Sequence, residues 1–306
     1  MALLTRRKFL MNSGAAGAAV TLTTALPKIL RAEPSGRALG IQLYTVAAEL
    51  AADLPGTLKT LRTIGYRVVE SAGFQKLSAI DFRKALEAAG LRCASAHLHF
   101  TADDPGPLFE DAHAVGAHYA VSSMMIAPPA GVSASGPGKA LSDLTLDDFK
   151  RTAELANRIG AKAKQAGLQY VYHNHNFEFK DQGNGQTGYD LLLKETDPEL
   201  VKFELDCGWM VAAGFSPVEY FKKYPNRYRL IHVKDFLLTG KPTTDLMGAG
   251  RPKGTELGKG HIDYKPIFAA AGPAGVEYFF SEQEPPIIGM TELEAAKVNY
   301  DYMRAL

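Results

Sequence analysis

Short apolar runs alternate with longer stretches of helical periodicity from Leu39 to the end of the chain. The second run, 65–70, is followed by a helical stretch over 78–89 that stops at Gly90, a residue suited to closing a helix. This alternation is typical of β-α units that build a parallel sheet. Strands are predicted at 40–44, 65–70, 91–100, 118–123, 168–172, 201–205, 228–233 and 276–281.

Eight strands with interleaved helices predict an α/β fold, the (β/α)8 TIM barrel, as a single domain over 39–306. The roughly 270 residues that follow the amino-terminal segment suffice, because such a barrel takes about 250 residues. An open doubly wound sheet is the alternative. It is disfavoured because no early strand precedes a Gly-rich dinucleotide or P-loop fingerprint. A Ser, Gly and Pro loop over 127–138 is predicted to lie at the carboxyl end of the barrel as a candidate lid.

The amino terminus has the pattern of a twin-arginine export signal. Arg6 and Arg7 precede a small-residue apolar stretch from Gly14 to Leu26. That stretch is shorter than the ~20 strongly apolar residues of a membrane span. We therefore predict an export signal over 1–32, a periplasmic or exported protein, and no stable membrane anchoring after signal removal. The alternative is an uncleaved helix or anchor.

The charges of the chain nearly cancel. Lys and Arg number 34, Asp and Glu number 33, and the formal net charge is +1. A nucleic-acid partner is not expected, because the chain lacks the excess positive charge that binds phosphates. Cys93 and Cys207 lie near different predicted strands, and we expect two buried thiols. Whether the chain forms a homo-oligomer is left open.

Ionisable side chains end four consecutive predicted strands. Alternate residues of a β-strand point to the same side. The same-face pairs are His173 with His175, Glu204 with Asp206, His232 with Lys234, and Glu282 with Glu284. In a closed parallel barrel the carboxyl ends of the strands converge on one mouth. The sequence therefore predicts a divalent metal site with acid-base groups beside it.

The predicted metal ligands are Asp206, His232 and Glu282, with a fourth on strand five. A single polar residue at a strand end is more often a cap or a hydrogen-bonded structural residue, but three on consecutive strands favour a metal. For the fourth ligand we choose His173 over His175 and Glu178. Mixed His and carboxylate ligation suits one ion of Mn²⁺, Zn²⁺, Co²⁺ or Fe²⁺ better than Ca²⁺.

Other residues near the mouth are predicted to contact a substrate. Lys234 can bind an oxyanion, and its alternative is an ion pair with Glu204 or Glu284. His97 and Glu70 end strands three and two, where each either orients a substrate hydroxyl or is satisfied structurally. The predicted substrate-binding set is Gln42, Tyr44, Glu70, His97 and Trp209, in which Tyr44 and Trp209 offer a wall on which a sugar ring stacks.

From Gly40 onward the chain resembles the sugar phosphate isomerase/epimerase proteins of the xylose-isomerase-like TIM-barrel superfamily. The resemblance is carried by Gly-Ile-Gln-Leu-Tyr at 40–44, Tyr-His-Asn-His-Asn-Phe-Glu-Phe at 172–179, 204–206, 232–235, Gly-Lys-Gly-His-Ile-Asp at 258–263, and 282–284. It implies a divalent metal at the carboxyl ends of strands five to eight, usually held by Glu, Asp, His and Glu.

The chain departs from that pattern on strand five. Asp206, His232 and Glu282 fall on the last three ligand positions, and His173 falls where many relatives with isomerase or epimerase activity carry Glu. Those relatives use this Glu as one of two carboxylates that move a proton between adjacent carbons. The Tyr-His-Asn-His segment is closer to relatives that act as lyases, hydrolases or dehydratases on keto-sugars and keto-glycosides.

The predicted function is a metal-dependent sugar isomerase or epimerase that forms an enediolate next to a carbonyl. His175, Glu178 and Glu284 are the predicted proton carriers, with Lys234 on the enolate oxygen. The alternatives are a lyase, dehydratase or hydrolase acting on keto-sugars or 3-keto-glycosides, and a non-catalytic periplasmic sugar-binding barrel. A phosphodiesterase like the apurinic endonucleases is disfavoured by the near-neutral charge and the predicted export signal. In each favoured case the partner is a small-molecule carbohydrate.

Overall fold

The computed structural model describes residues 38–100, 104–128 and 139–306. Eight parallel strands close into a barrel, which confirms the predicted fold. The barrel strands are β1 (Ala38–Gln42), β2 (Val68–Ala72), β3 (Arg92–His97), β4 (Tyr119–Ser123), β5 (Gln169–His173), β6 (Val201–Asp206), β7 (Tyr228–Val233) and β10 (Tyr278–Ser281). Their order around the barrel is β1-β10-β7-β6-β5-β4-β3-β2.

Helices connect these strands in most of the β-α units. They are α1 (Ala47–Ala52), α2 (Leu54–Ile64), α3 (Ala79–Ala88), α4 (Gly106–Val115), α5 (Leu146–Gln165), α6 (Gly188–Glu195), α7 (Cys207–Ala212), α8 (Pro217–Lys223), α9 (Tyr264–Ala271) and α10 (Glu292–Ala305). No helix in the described part of the chain is both long enough and apolar enough to span a bilayer.

The ends of α5 show how local sequence sets an element. Thr145 and Asp148 form a capping box, in which each side chain binds the backbone N–H of the other residue. The helix is followed by Gly167 at φ +77°, a backbone conformation that glycine adopts without strain. Residues next to α5 in the sequence therefore determine both of its ends.

A short antiparallel pair, β8 (Asp235–Leu237) and β9 (Lys253–Thr255), follows β7. The Asp235 carboxylate anchors the next loop by accepting hydrogen bonds from the backbone N–H groups of Gly258, Gly260 and Ile262, at 3.0, 3.0 and 3.2 Å. A Cβ on Gly260 would lie 2.1 Å from Asp235 Oδ1, so only glycine fits there. The Gly-Lys-Gly-His-Ile-Asp segment is therefore bound to the first residue of β8 by backbone hydrogen bonds.

A layer of apolar side chains fills the barrel beneath the mouth. Val68, Val171, Leu230 and Phe280 belong to one buried cluster. Each lies two residues before an ionisable residue of the mouth, so the two sets share the inward face of the strands. Gly40 belongs to the same layer, since a Cβ there would lie 2.5 Å from Phe280 Cδ1. The layer forms a closed floor under the site.

Other sequence predictions concern the two cysteines, the amino terminus and the loop at 127–138. Cys93 and Cys207 are free and buried, as predicted. The export signal predicted over 1–32 lies outside the described residues, as does most of the loop at 127–138, so both stay predictions.

Candidate metal centre

The four predicted ligands come together because β5, β6, β7 and β10 are neighbours in the barrel. In the strand register Asp206 is paired with His232, and His173 is paired with Glu204. Asp206 Oδ2 lies 3.9 Å from His232 Nδ1 and 4.0 Å from His173 Nε2. His232 Nδ1 lies 2.9 Å from Glu282 Oε2. Asp206, His232 and Glu282 thus surround one point, and His173 reaches that group through its contact with Asp206.

A divalent ion fits this donor set. Asp206, His232 and Glu282 present ligand atoms that all lie within 4.8 Å of one another. The buried Oδ2 of Asp206 accepts no hydrogen bond of ordinary geometry and has the Lys234 ammonium 3.1 Å away, so this oxygen already faces a cation. Burial raises the pKa of Asp206 to about 6, against the effect of Lys234 and His232, so a bound cation would favour its ionised form. Nitrogen and carboxylate ligands together suit a transition metal.

Asp206 is held in place by its own neighbours. It is the N-cap of α7, where its Oδ1 accepts a hydrogen bond from the backbone N–H of Trp209 at 2.9 Å. Its backbone N–H donates to Asn174 Oδ1 at 3.1 Å. One carboxylate oxygen therefore fixes the orientation, and the other faces the mouth.

Lys234 extends into this group of carboxylates. Its side chain is 2% exposed, and Nζ lies 3.1 Å from Asp206 Oδ2 and 2.7 Å from Glu282 Oε2. It also forms an ion pair with Glu284, one of its two predicted partners. Despite burial, these three carboxylates hold the pKa of Lys234 well above its ordinary value. The ammonium group also lies 5.2 Å from the centre of the Trp209 ring.

A second group of ionisable residues, the deep group, contains Glu70 and His97, which were predicted to bind substrate, and Glu204, which was predicted to share a strand face with Asp206. Glu70 and Glu204 are fully buried. His97 Nε2 lies between them, 2.9 Å from Glu70 Oε1 and 3.0 Å from Glu204 Oε2. Although burial opposes its charged form, the two carboxylates raise the pKa of His97 to about 10. His97 is therefore a cation that balances part of the charge of Glu70 and Glu204.

Of the predicted proton carriers, His175 has the most open position. It follows β5, is partly exposed, and its Nδ1 has no hydrogen-bond partner. Burial of the ring and the nearby charge of Lys234 lower its pKa to about 3, so the imidazole is neutral at neutral pH. Its ring centre lies 6.1 Å from that of Trp209. This arrangement leaves Nδ1 of His175 as an unprotonated, buried nitrogen without a hydrogen-bond partner.

Glu178 and Glu284 are more strongly engaged. Glu178 is fully buried, where it accepts hydrogen bonds from the backbone N–H of His175 at 2.9 Å and from the hydroxyl of Tyr172 at 3.2 Å. Glu284 forms ion pairs with Lys234 and Arg251 and accepts a hydrogen bond from Trp209 Nε1 at 3.3 Å. Both carboxylates thus have structural partners.

The predicted substrate-binding residues divide by exposure. Tyr44 is 49% exposed at the end of β1. Gln42 is buried, where its amide donates to Glu70 Oε1 at 3.3 Å and its oxygen caps the following 3-10 turn. Trp209 is fully buried, with Lys234 and Arg251 near its ring. In this conformation only Tyr44 offers an open ring face.

A cavity of about 280 Å³ opens beside Lys234 and Glu284. Phe236, Arg251 and the Pro285-Pro286 segment contribute to its walls. A volume of this size is at the lower end for small-molecule pockets. Sequence reasoning did not identify Arg251, which lies in the connection between β8 and β9. No signal in the sequence placed that connection at the mouth.

The comparisons with known proteins agree with the fold. Residues 58–305 match the family described as xylose isomerase-like TIM barrel. The fold and the cluster of His, Asp and Glu at its carboxyl end are those of a (β/α)8 barrel with a candidate metal centre. The chain belongs to the xylose isomerase-like TIM barrel family.

Individual relatives are more varied. An inosose dehydratase of Clostridium perfringens is 31% identical over 158 residues, which cover 49% of this chain and 52% of that protein. The chain thus matches about half the length of this curated relative. A sugar phosphate isomerase/epimerase of Parabacteroides distasonis has a TM-score of 0.68 and 26% identity, and the match covers 92% of this chain and 97% of that one.

A further solved structure shares the fold at lower identity. It is a xylose isomerase-like TIM barrel protein of Mycobacterium smegmatis in complex with magnesium, with a TM-score of 0.57 and 18% identity. The match covers 83% of this chain and 88% of that one. At this level of identity the likeness concerns the fold.

Proposed function

We propose that this barrel is a metal-dependent lyase that removes the elements of water, or another β-leaving group, from a keto-sugar or keto-cyclitol. One observation carries the proposal: the mouth has one free proton carrier, His175, whereas Glu178 and Glu284 are engaged by structural partners. Epimerisation by two opposed carboxylates needs two free carriers, but elimination needs only one. Similarity to inosose dehydratases supports this choice.

In this proposal one divalent ion is held by His173, Asp206, His232 and Glu282. When bound, it supplies Lewis-acid polarisation of a substrate carbonyl and thereby makes the neighbouring C–H acidic. Mn²⁺, Zn²⁺, Co²⁺ and Fe²⁺ remain the candidates on ligand chemistry, and a family member of the same fold was crystallised with magnesium.

His175 carries the proton. Its neutral imidazole accepts the proton next to the carbonyl, the C–H electron pair forms the new C=C bond, and the β C–O bond breaks. The protonated imidazole then gives the same proton to the departing oxygen, which leaves as water or an alcohol. A pKa of about 3 keeps this imidazole neutral at neutral pH, so its nitrogen is unprotonated before the first step. The floor of the barrel and the buried walls limit the access of water.

An isomerase or epimerase is the second candidate function. The Parabacteroides distasonis protein of that name is similar over nearly its whole length. For this outcome Glu284 would have to leave its ion pairs with Lys234 and Arg251 and act as the second proton carrier.

Proton exchange separates these functions. The purified, metal-analysed protein is incubated in D₂O with keto-cyclitols, keto-sugars and 3-keto-glycosides, and the products are followed by NMR. We expect an unsaturated ketone and free water or alcohol, a loss of turnover in His175→Gln, and wild-type turnover in the control His113→Gln on α4. A rearranged sugar that carries solvent deuterium would instead establish an isomerase or epimerase. Bound metal without exchange on any substrate would favour a sugar-binding barrel.

Export through the twin-arginine pathway is a separate proposal. It is supported by Arg6, Arg7 and the apolar stretch that follows them. A chain with Arg6→Lys and Arg7→Lys should remain in the cytoplasm of an expressing bacterium while the wild type reaches the periplasm. Equal export of both chains would contradict the proposal.

A further inference from the structure

Each of the two histidines at the metal centre has a buried carboxylate against its second nitrogen. His173 directs Nε2 toward Asp206, and its Nδ1 lies 2.9 Å from Glu204 Oε2. His232 directs Nδ1 toward Asp206 and Glu282, and its Nε2 lies 2.7 Å from Glu70 Oε1. The two contacts come from different strands, β6 and β2, and each involves the ring nitrogen that is not directed toward Asp206.

We propose that Glu204 and Glu70 are positioning residues for the metal centre of the proposed function. A carboxylate that accepts the N–H at one side of an imidazole fixes the tautomer and turns the lone pair of the other nitrogen outward. Glu204 thus assigns Nε2 of His173 to the metal, and Glu70 assigns Nδ1 of His232. The partner carboxylate also makes the imidazole a more basic ligand.

Glu70 is itself fixed. Ser95 Oγ donates a hydrogen bond to its Oε2, and Gln42 Nε2 donates to its Oε1. Both carboxylates are completely buried, so neither can rotate into solvent. Burial of a carboxylate costs free energy unless charged or hydrogen-bonding partners compensate for the lost water.

His97 joins the two supports. Its Nε2 contacts Glu70 and Glu204 at nearly equal distances. This contact places a single imidazole between the carboxylates that orient His173 and His232. The orientations of the two metal ligands are therefore coupled through one side chain.

The deep group has a competing interpretation. His97, His173, Glu204 and His232 have ligand atoms close enough together to hold an ion themselves. In that case His173 and His232 would bind metal through the nitrogens that face Glu204 and Glu70. The two interpretations assign opposite ring nitrogens to the metal and predict different stoichiometries.

Metal affinity tests the proposal without a substrate. The dissociation constants of Zn²⁺ and Co²⁺ are measured by competition with a chromophoric chelator, together with the number of ions per chain. We expect one ion per chain in the wild type. Glu204→Gln and Glu70→Gln should each bind it about 10- to 100-fold more weakly, the range typical for loss of a residue that orients a metal ligand. Ser95→Ala, which leaves all charges in place, should weaken binding by less.

Asp190→Asn is the matched control. Asp190 is a partly buried carboxylate bonded to Tyr220, Lys223 and Tyr224, away from the centre, so its loss should leave metal affinity unchanged. A second readout is the ¹⁵N shift of the imidazole nitrogens, which reports the tautomer. In the Zn²⁺ form we expect Nε2 of His173 and Nδ1 of His232 to carry the metal.

Several results would overturn the inference. They are wild-type affinity in both Glu→Gln variants, a wild-type chain that binds no divalent ion, and a second ion that is lost in Glu204→Gln. The test is independent of turnover: if affinities and tautomers behave as expected but no keto-substrate reacts, the proposed reaction fails and the positioning role stands.

Discussion

Glu178→Gln is expected to flatten the pH dependence of folding stability. Burial of Glu178 raises its pKa from 4.5 to about 8, although hydrogen bonds from the backbone N–H of His175 and from Tyr172 oppose the rise. The folded chain therefore keeps a proton on this carboxyl over a pH range in which the unfolded chain has lost it. Glutamine imitates the protonated acid, since its oxygen can accept from His175 and its amide can donate to the Tyr172 oxygen.

The sign and size of the effect follow from proton linkage. Because the folded pKa is the higher one, the contribution of Glu178 to stability is fully present below pH 4.5 and is lost as pH rises toward 8. Each pKa unit corresponds to about 1.4 kcal/mol. Between pH 5 and pH 8 the wild type should thus lose about 3.5 kcal/mol that the variant does not lose.

Urea unfolding of the metal-free chains at several pH values measures this difference. The free energy of unfolding of wild type minus that of Glu178→Gln should fall with pH, while Glu154→Gln, a change at an exposed position of α5, should follow the wild type. Parallel curves for wild type and Glu178→Gln from pH 5 to 8 would refute the raised pKa. They would also return Glu178 to consideration as an ionised proton carrier.

Three further changes test the centre and its floor. Asp206→Asn should lose bound divalent metal, measured by atomic absorption after gel filtration, because a neutral amide replaces a carboxylate ligand; retained metal would contradict the ligand assignment. Lys234→Met should lower the melting temperature of the metal-free chain, because the carboxylates then face each other without an ammonium group. The stability of this variant should also depend more strongly on added metal. An unchanged melting temperature of the metal-free chain would argue against this charge balance. Gly40→Ala should cost about 1 to 3 kcal/mol in urea unfolding, because its Cβ would meet Phe280, whereas Gly272→Ala has open space and should be nearly neutral.

The barrel and most of the mouth could be predicted because they follow from local rules. Apolar runs of strand length between helical stretches specify the β-α alternation, and the period of two places Asp206 and Glu204 on one face. The prediction of strand ends was less accurate. The first strand was predicted to end at Tyr44, but β1 ends at Gln42, where a 3-10 turn begins. The turn is stabilised by the Gln42 side chain, which no periodicity reveals.

The roles of the deep residues depend on which strands meet across the barrel. The sequence predicts that Glu204 and Asp206 lie on the same face of a strand. The contact of Glu204 with His173, however, depends on the register between β5 and β6. Glu70 reaches His232 across the barrel interior, from strands separated by β1 and β10. Such contacts arise from closure of the sheet, and one sequence carries no direct signal of them. The burial of Trp209 likewise depends on Lys234 and Arg251, which come from distant segments.

The apolar floor of the barrel closes the inner end of the site. Val68, Val171, Leu230 and Phe280 close the interior beneath the ionisable residues, and Tyr119 bonded to Glu277 lies toward the opposite end. Among the described residues this leaves the mouth at the carboxyl ends of the strands, so in the proposed function substrate, product and any released water would pass that opening in turn. A reaction that splits one molecule into two has to discharge both fragments through that opening before the next molecule enters, so the order in which they depart becomes part of the catalytic cycle.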